Sequence, residues 1–122
     1  MNAAEYLSAY AEGWSKGDAE RILEATAEDY TFDDPNFGIV SRQALPEYLT
    51  GLKEAIAAQC GGRLPDPLMV LSDVLSREGD GVLTASCWWT VPGTQVKGSG
   101  LIKADATGVH SEVITYYTRL AG

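Results

Sequence analysis

The first half of the chain shows the three- and four-residue spacing of apolar side chains that is typical of amphipathic helices. Within residues 3–15 the apolar stripe contains Tyr6, Leu7, Tyr10, Ala11 and Trp14. Gly17 is expected to end this helix, and Asp18 can cap a short second helix over residues 18–26. A third helix is predicted over residues 41–60, because Leu45, Leu49, Leu52 and Ile56 share one face.

From residue 68 onward apolar and polar positions alternate, which is the period of a β-strand. Strands are predicted over residues 68–77, 82–91, 95–105 and 109–120, with one earlier strand over residues 30–34. Short turn-rich connections separate the last four strands, so they are expected to form an antiparallel meander. The order helix, helix, strand, helix and four strands predicts a single α+β domain over residues 1–122, with its helices on one face of the sheet.

One predicted strand indicates which face of the sheet the helices cover. The apolar or small residues of this strand occupy the even positions Val96, Gly98, Gly100, Ile102 and Ala104. This face should therefore point towards the helices. Gly98 and Gly100 could leave volume unfilled there and open a cavity, or they could mark bulges or close packing. The residues alone leave both interpretations open.

Composition and charge exclude several classes of function. The 122 residues contain 9 Lys and Arg against 17 Asp and Glu, a formal net charge of −8, which disfavours binding to nucleic acid or to anionic membranes. No uncharged stretch could span a bilayer, and the N-terminus lacks the pattern of a secretory signal, so a cytoplasmic protein is expected. Cys60 and Cys87 lack metal-ligand spacing, and the chain has no phosphate loop or triad motif. Neither a metal nor a cofactor is predicted.

The first predicted strand offers the strongest candidate for chemistry. Alternation places Tyr30, Phe32 and Asp34 on one face, so a carboxylate shares a face with two aromatic rings. If that face borders a cavity, desolvation should raise the pKa of Asp34 and allow it to act as a general base or acid. The alternative is that Asp34 only caps the turn before Pro35 and Asn36.

Further aromatic side chains could line a site for a flat apolar ligand. Tyr10 lies on the same helical stripe as Trp14, so its hydroxyl either meets a buried acceptor or points into a pocket. The other candidates are Trp14, Tyr48, Trp88, Trp89, Tyr116 and Tyr117. In each adjacent pair one residue should face inward and the other outward. The outward ones, with Ile114, could form an apolar patch where two subunits meet. His110, the only histidine, is expected at the rim without a catalytic role.

Two segments carry a resemblance to a known family. YAEGWSKGD over residues 10–18 and YTFDDPNFG over residues 30–38 resemble the nuclear transport factor 2-like superfamily, in its SnoaL-like and ketosteroid-isomerase-like branches. The resemblance covers nearly the whole chain and includes the long helix and a meander with a late Gly108. It implies a cone-shaped α+β barrel of the cystatin-like type, with a curved sheet around a long helix and an apolar pocket. It also implies homodimers formed through the outer face of the sheet.

The resemblance implies roles for particular residues. Asp34 is similar to the general base of ketosteroid isomerases, and Tyr10 matches the tyrosine that donates a hydrogen bond to the developing oxyanion. That mechanism also uses a protonated carboxylic acid as a second donor. Its position falls at Gly100 in this chain, so one donor would have to hold the enolate alone. Tyr117 falls where the family places a pocket-lining aromatic residue, and Val113 shares its predicted face.

These patterns favour a cofactor-independent enzyme that transfers a proton on a small apolar or aromatic molecule, as an isomerase, cyclase or lyase. Its predicted catalytic residues are Asp34 and Tyr10. The predicted ligand contacts are Trp14, Tyr30, Phe32, Tyr48, Gly100, Val113 and Tyr117. Two other functions remain open at this point, a non-catalytic ligand-binding module and a dimeric interaction domain, because a fold does not fix a function.

Overall fold

The computed structural model describes residues 1–117 and confirms the predicted α+β fold. The helices are α1 (Ala3–Lys16), α2 (Ala19–Glu24) and α3 (Leu45–Gln59). The strands are β1 (Thr26–Asp34), β2 (Gly38–Ser41), β3 (Val70–Gly79), β4 (Val82–Thr90), β5 (Lys97–Asp105) and β6 (Gly108–Tyr116). The predicted end of the last strand, over residues 118–120, lies outside the described residues.

The end of α1 and the start of α2 are as predicted, and α1 begins with a capping box that the sequence analysis did not predict. The Asn2 side chain accepts a hydrogen bond from the Glu5 amide, and the Glu5 carboxylate accepts one from the Asn2 amide. Gly17 ends α1 in the left-handed conformation, with φ of 65°. Asp18 then caps α2 by accepting a hydrogen bond from the Arg21 amide.

The region around the first strand differs from the prediction. β1 begins at Thr26, four residues before the predicted start, and β2 was not predicted. β2 pairs antiparallel with β1, so α3 begins only at Leu45, with Pro46 in its first turn. Only Val40 of the four residues of β2 is buried, so this strand has no alternating pattern from which it could be recognised.

The six strands form one mixed sheet in the order β2-β1-β6-β5-β4-β3. The four C-terminal strands form the predicted antiparallel meander, and β1 pairs in parallel with β6. The even positions of β5 are buried beneath the helices, as expected. A Cβ atom at Gly98 would lie 1.8 Å from the Thr115 carbonyl oxygen, so this glycine permits close packing and does not leave space empty.

None of the helices within residues 1–117 is long and apolar enough to cross a membrane.

His110 joins two strands at the rim of the sheet. Its Nδ1 lies 2.5 Å from Oδ1 of Asp29 on β1, and its Nε2 lies 2.9 Å from Oδ2 of Asp105 at the end of β5. Both ring nitrogens can donate only in the protonated imidazolium. The hydrogen bond to Asp105, followed by that to Asp29, raises the pKa of His110. Hydrogen bonds from Thr107, with a smaller contribution from His110, lower the pKa of Asp105 to about 2.

This arrangement predicts a pH-dependent contribution to stability. Because the pKa of folded His110 is raised above 6.5, its contribution should be complete below about pH 6.5 and lost as the pH rises through the folded value. Urea unfolding of the wild type and of His110→Gln should show a larger difference at pH 6 than at pH 9. The difference should be small, because the cluster is partly exposed. An equal difference at the two pH values would contradict the ionic bridge.

Candidate active site

An apolar cavity of about 260 Å³ lies between α3 and the inner face of the sheet. This volume is slightly below the range of about 300–1,000 Å³ that is typical of pockets for drug-sized molecules. The cavity therefore suits a compact ligand, such as a molecule with one or two rings. Its aromatic and polar lining residues are Trp14, Phe32, Asn36, Phe37, Tyr48, Gln59, Trp89, Glu112 and Tyr116.

Aromatic rings form two walls of this cavity. The rings of Trp14 and Phe32 are stacked with centroids 5.1 Å apart, and Tyr48 lies 5.4 Å from Phe32. Trp89 contacts Tyr116 edge to face, also at 5.4 Å. Such walls favour a flat apolar ligand. The structure thus places three of the predicted contacts, Trp14, Phe32 and Tyr48, on the cavity surface.

Glu112 is the one carboxyl side chain that lines the cavity within the described residues. The Tyr10 hydroxyl donates a 2.6 Å hydrogen bond to its Oε1, and the Tyr30 hydroxyl lies 2.7 Å from that of Tyr10. Burial raises the pKa of Glu112 to about 7, although the hydrogen bond from Tyr10 lowers it in part. Both protonation states of this carboxyl are therefore populated near neutral pH.

Gly100 makes room for the Glu112 carboxyl. A Cβ atom on Gly100 would lie 2.3 Å from Oε2 of Glu112, so a side chain at this position would displace the carboxyl group from its present place. The resemblance had indicated an acid at Gly100 in related proteins, and no acid is present there. In the structure an acid from the neighbouring strand β6 occupies the adjacent space. Gly100 is thus part of the site's construction but does not line the cavity.

The predicted inward face of the last strand was wrong. Val113 and Tyr117 are 46% and 49% exposed and lie outside the cavity, whereas Ile114 is 7% exposed and lines it. Tyr116, on the same face as Ile114, lines the cavity as well. Neither Ile114 nor Tyr116 can therefore belong to an outward apolar patch.

The last strand contains a β-bulge, which alternation along the sequence does not reveal. Lys103 pairs with Ser111, whereas the next residue, Ala104, pairs with Val109, so His110 is the extra residue on β6. One extra residue exchanges the two faces of the strand that follows it. Val109 is buried before the bulge, and Glu112 is buried after it. Alternation that starts from Val109 and ignores the bulge consequently assigns Glu112 to the wrong face.

Asp34 is fully buried at the end of β1, behind the cavity lining. Its Oδ1 accepts a 2.8 Å hydrogen bond from the Asn36 amide, so the predicted turn cap is present. Its Oδ2 accepts hydrogen bonds from the hydroxyls of Tyr48, at 2.5 Å, and Tyr116, at 2.9 Å. Asp34 therefore reaches the cavity through these two tyrosines, and its expected role as the base stays a prediction.

Tyr10 and Tyr30 are also buried behind the cavity and do not line it. Tyr10 has found a buried acceptor, Glu112, which is one of the two outcomes considered from the sequence. Its expected role as an oxyanion donor stays a prediction. Glu112 was not among the residues predicted from the sequence, where its one signal is an acidic residue on a strand rich in apolar residues.

The remaining candidate residues have simple environments. Trp89 is buried and faces the cavity, whereas Trp88 is half exposed on the outer face. Cys87 lines the cavity, and burial raises the pKa of its thiol to about 11, which keeps it protonated. Within residues 1–117 no group of three or more His, Cys, Asp or Glu side chains could hold a metal ion.

Comparisons with known proteins agree with the architecture. The model of a family described as "SnoaL-like domain" matches residues 7–122. A search of curated proteins found no significant match. Three similar solved structures are described below. Each is less than 20% identical in sequence to this chain, so these similarities show the fold alone.

One similar structure is an NTF2-like protein with a cystatin-like fold from Novosphingobium aromaticivorans, with a TM-score of 0.70 and 19% identity, covering 96% of this chain and 80% of that one. A proposed polyketide cyclase from Xanthomonas campestris has a TM-score of 0.62 and 16% identity, with coverages of 93% and 89%. TerC, co-crystallised with polyporic acid, has a TM-score of 0.66 and 16% identity, with coverages of 93% and 90%. These similarities confirm the fold that the resemblance implied.

The raised pKa of Glu112 predicts how stability depends on pH. A carboxyl with a pKa of 4.5 in the unfolded chain and about 7 when folded stabilises the protein fully below about pH 4.5. This contribution is lost as the pH rises towards 7, and it amounts to roughly 3 kcal/mol. Urea unfolding between pH 4.5 and 7.5 should show this decline in the wild type and a flatter profile in Glu112→Gln.

The matched control is Glu28→Gln, which changes an exposed glutamate on β1. The stability of this variant should decline between pH 4.5 and 7.5 as in the wild type. If Glu112→Gln kept the same decline, Glu112 would not be the group that titrates in this range.

Proposed function

Because the chain belongs to the SnoaL-like domain family, we propose that it is a cofactor-independent enzyme that transfers a proton on a small apolar or aromatic molecule. The reaction class is that of an isomerase, cyclase or lyase. The observation that carries this proposal is Glu112, an acid on the surface of a largely apolar cavity. A carboxyl with a pKa of about 7 can both accept and return a proton near neutral pH.

The contacts of Glu112 support its use as the proton carrier. Tyr10 binds Oε1, and Oε2 has no hydrogen-bond partner among the side chains of residues 1–117. In the proposed step, ionised Glu112 takes a proton from a substrate carbon next to a carbonyl group. The electron pair of the broken C–H bond moves to the carbonyl oxygen and forms an enolate. Return of the proton to another atom isomerises the substrate. Alternatively, attack of the enolate on a carbonyl carbon closes a ring, and the alkoxide that forms takes the proton back from Glu112.

Other residues would support this step. Tyr10, backed by Tyr30, acts as a positioning residue that holds Glu112 in one orientation. Asn36 and Gln59 also line the cavity. The NH₂ group of Gln59 is the donor proposed for an enolate oxygen, because the side chain of Asn36 also bonds the Tyr116 hydroxyl. The hydroxyls of Tyr48 and Tyr116 are already engaged with Asp34.

The structural neighbours support a small-molecule ligand. TerC was crystallised with polyporic acid, and another neighbour is a proposed polyketide cyclase. A non-catalytic ligand-binding module would use the same cavity, and it is distinguished by the assay below.

The assay follows hydrogen exchange at the acidic CH₂ group of 2-tetralone, a bicyclic ketone, in D₂O by proton NMR. The wild type should accelerate exchange over buffer, with a rate that rises with pH through about 7 as Glu112 ionises. Glu112→Gln should lower the enzymatic rate by about 10²-fold or more, because an amide cannot accept the proton. The control Glu28→Gln should match the wild type.

Two other outcomes would contradict the proposed role of Glu112. Binding of 2-tetralone without accelerated exchange would contradict the enzyme proposal and favour a binding module. Exchange that survives in Glu112→Gln and is lost in Asp34→Asn would identify Asp34 as the base, acting through the tyrosines that it binds.

We also propose that two copies of the chain meet through the outer face of the sheet. Leu101 and Val113 are paired neighbours on β5 and β6, and each is nearly half exposed. Trp88 on β4 pairs with Ser99, two residues along β5 from Leu101, and extends this apolar surface. Patches of this kind mark subunit contacts in many proteins.

Sedimentation equilibrium tests this proposal. The wild type should sediment as a dimer, and Leu101→Lys should shift it towards a monomer by burying a charge in the contact. Ile39→Lys, at an exposed apolar position on β2, is the matched control and should leave the dimer intact. A wild type that stays monomeric at all concentrations would contradict the contact.

A further inference from the structure

Asp34 fixes the direction of two hydrogen bonds at the cavity. A carboxylate can only accept hydrogen bonds, and a tyrosine hydroxyl has a single hydrogen to donate. Tyr48 and Tyr116 both donate that hydrogen to Oδ2 of Asp34, at 2.5 and 2.9 Å. The backbone amide of Asn36 occupies Oδ1, at 2.8 Å. Asp34 is fully buried, so no water competes for these positions.

Both tyrosine hydroxyls can therefore act only as hydrogen-bond acceptors towards a ligand. Both line the cavity, and with their hydrogens engaged their oxygens offer only lone pairs, of which one on Tyr116 is shared with the side chain of Asn36. Burial, with a contribution from Asp34, raises the pKa of Tyr116 to about 12 and raises that of Tyr48 further. Both hydroxyls thus stay protonated near neutral pH.

We propose that Tyr48 and Tyr116 form a pair of hydrogen-bond acceptors that selects ligands with a hydroxyl group on an aromatic or enolic ring, and that Asp34 sets this preference. The inference rests on the proposed ligand cavity and specifies the class of molecule that it binds. A ligand with a methyl ether at the same position would place its oxygen lone pairs against those of the tyrosines. The unsatisfied polar groups would then lower the affinity of the ether.

Asp34→Asn should abolish this preference. The amide oxygen of the new side chain can keep the hydrogen bond from Asn36, which places its NH₂ group where Oδ2 lay. This group has two hydrogens and can donate one to each tyrosine oxygen. The hydroxyl hydrogens of Tyr48 and Tyr116 are then free to point into the cavity. The same two tyrosines would become donors, without a change in the volume of the site.

The experiment measures the dissociation constants of 2-naphthol and 2-methoxynaphthalene by equilibrium dialysis. These ligands have the same ring system and differ in whether the oxygen carries a hydrogen. The ratio of the two constants is compared between variants, so the intrinsic difference in hydrophobicity cancels. The variants are Asp34→Asn, Tyr48→Phe and Tyr116→Phe. The control is Tyr117→Phe, which removes a hydroxyl from the outer face of the sheet.

The ratio of the dissociation constant of 2-methoxynaphthalene to that of 2-naphthol should be roughly tenfold or more higher in the wild type than in Asp34→Asn. Each phenylalanine variant should lose part of the preference, and Tyr117→Phe should keep it. The phenylalanine variants also supply the test if Asp34→Asn does not fold, because each leaves Asp34 one tyrosine donor.

Equal ratios in the wild type, in Asp34→Asn and in both phenylalanine variants would overturn the inference. Failure of both ligands to bind the wild type would contradict the ligand cavity itself, and with it this inference. Proton transfer is tested separately, by the hydrogen-exchange assay with Glu112→Gln. A selective protein that does not catalyse exchange would therefore contradict the proposed reaction and support the acceptor pair.

Discussion

A carboxyl group that leaves water must find hydrogen bonds or give up its charge, and the interior formed by residues 1–117 holds two such groups, Asp34 and Glu112. Both are held by tyrosine hydroxyls. Tyr10 binds Glu112 and is backed by Tyr30, whereas Tyr48 and Tyr116 bind Asp34. The tyrosines of the core therefore do more than fill volume, since their hydroxyls make an acidic interior compatible with an apolar cavity.

The bulge at His110 determines which of these acids reaches the cavity. It turns the face of β6 that carries Glu112 inward, and the glycine at position 100 leaves space for the carboxyl. His110 itself is held at the rim by Asp29 and Asp105. The surface cluster and the buried acid thus lie on either side of the same irregularity in the sheet.

The environments of the two acids support different proposed tasks. Glu112 lies on the cavity surface with one oxygen that has no side-chain partner among the described residues, so it suits proton transfer. Asp34 has three donors directed at its oxygens and lies one hydrogen bond behind the surface, so it suits the orientation of other groups. Proton transfer and ligand recognition would then use separate acids within one small cavity.

The sequence by itself determined the three helices, the end of α1 and the cap of α2, the meander, the buried face of β5 and three aromatic residues of the cavity, because these follow from local periodicity and end signals. It did not reveal β2, which is too short to show alternation. It also did not reveal that Glu112 faces inward, because the extra residue of the β-bulge exchanges the two faces of the strand. The sequence singled out Asp34, but only the tertiary structure decided its partners. Tyr48 and Tyr116 are 14 and 82 residues away along the chain, and pairing over such distances is set by how the strands and α3 pack.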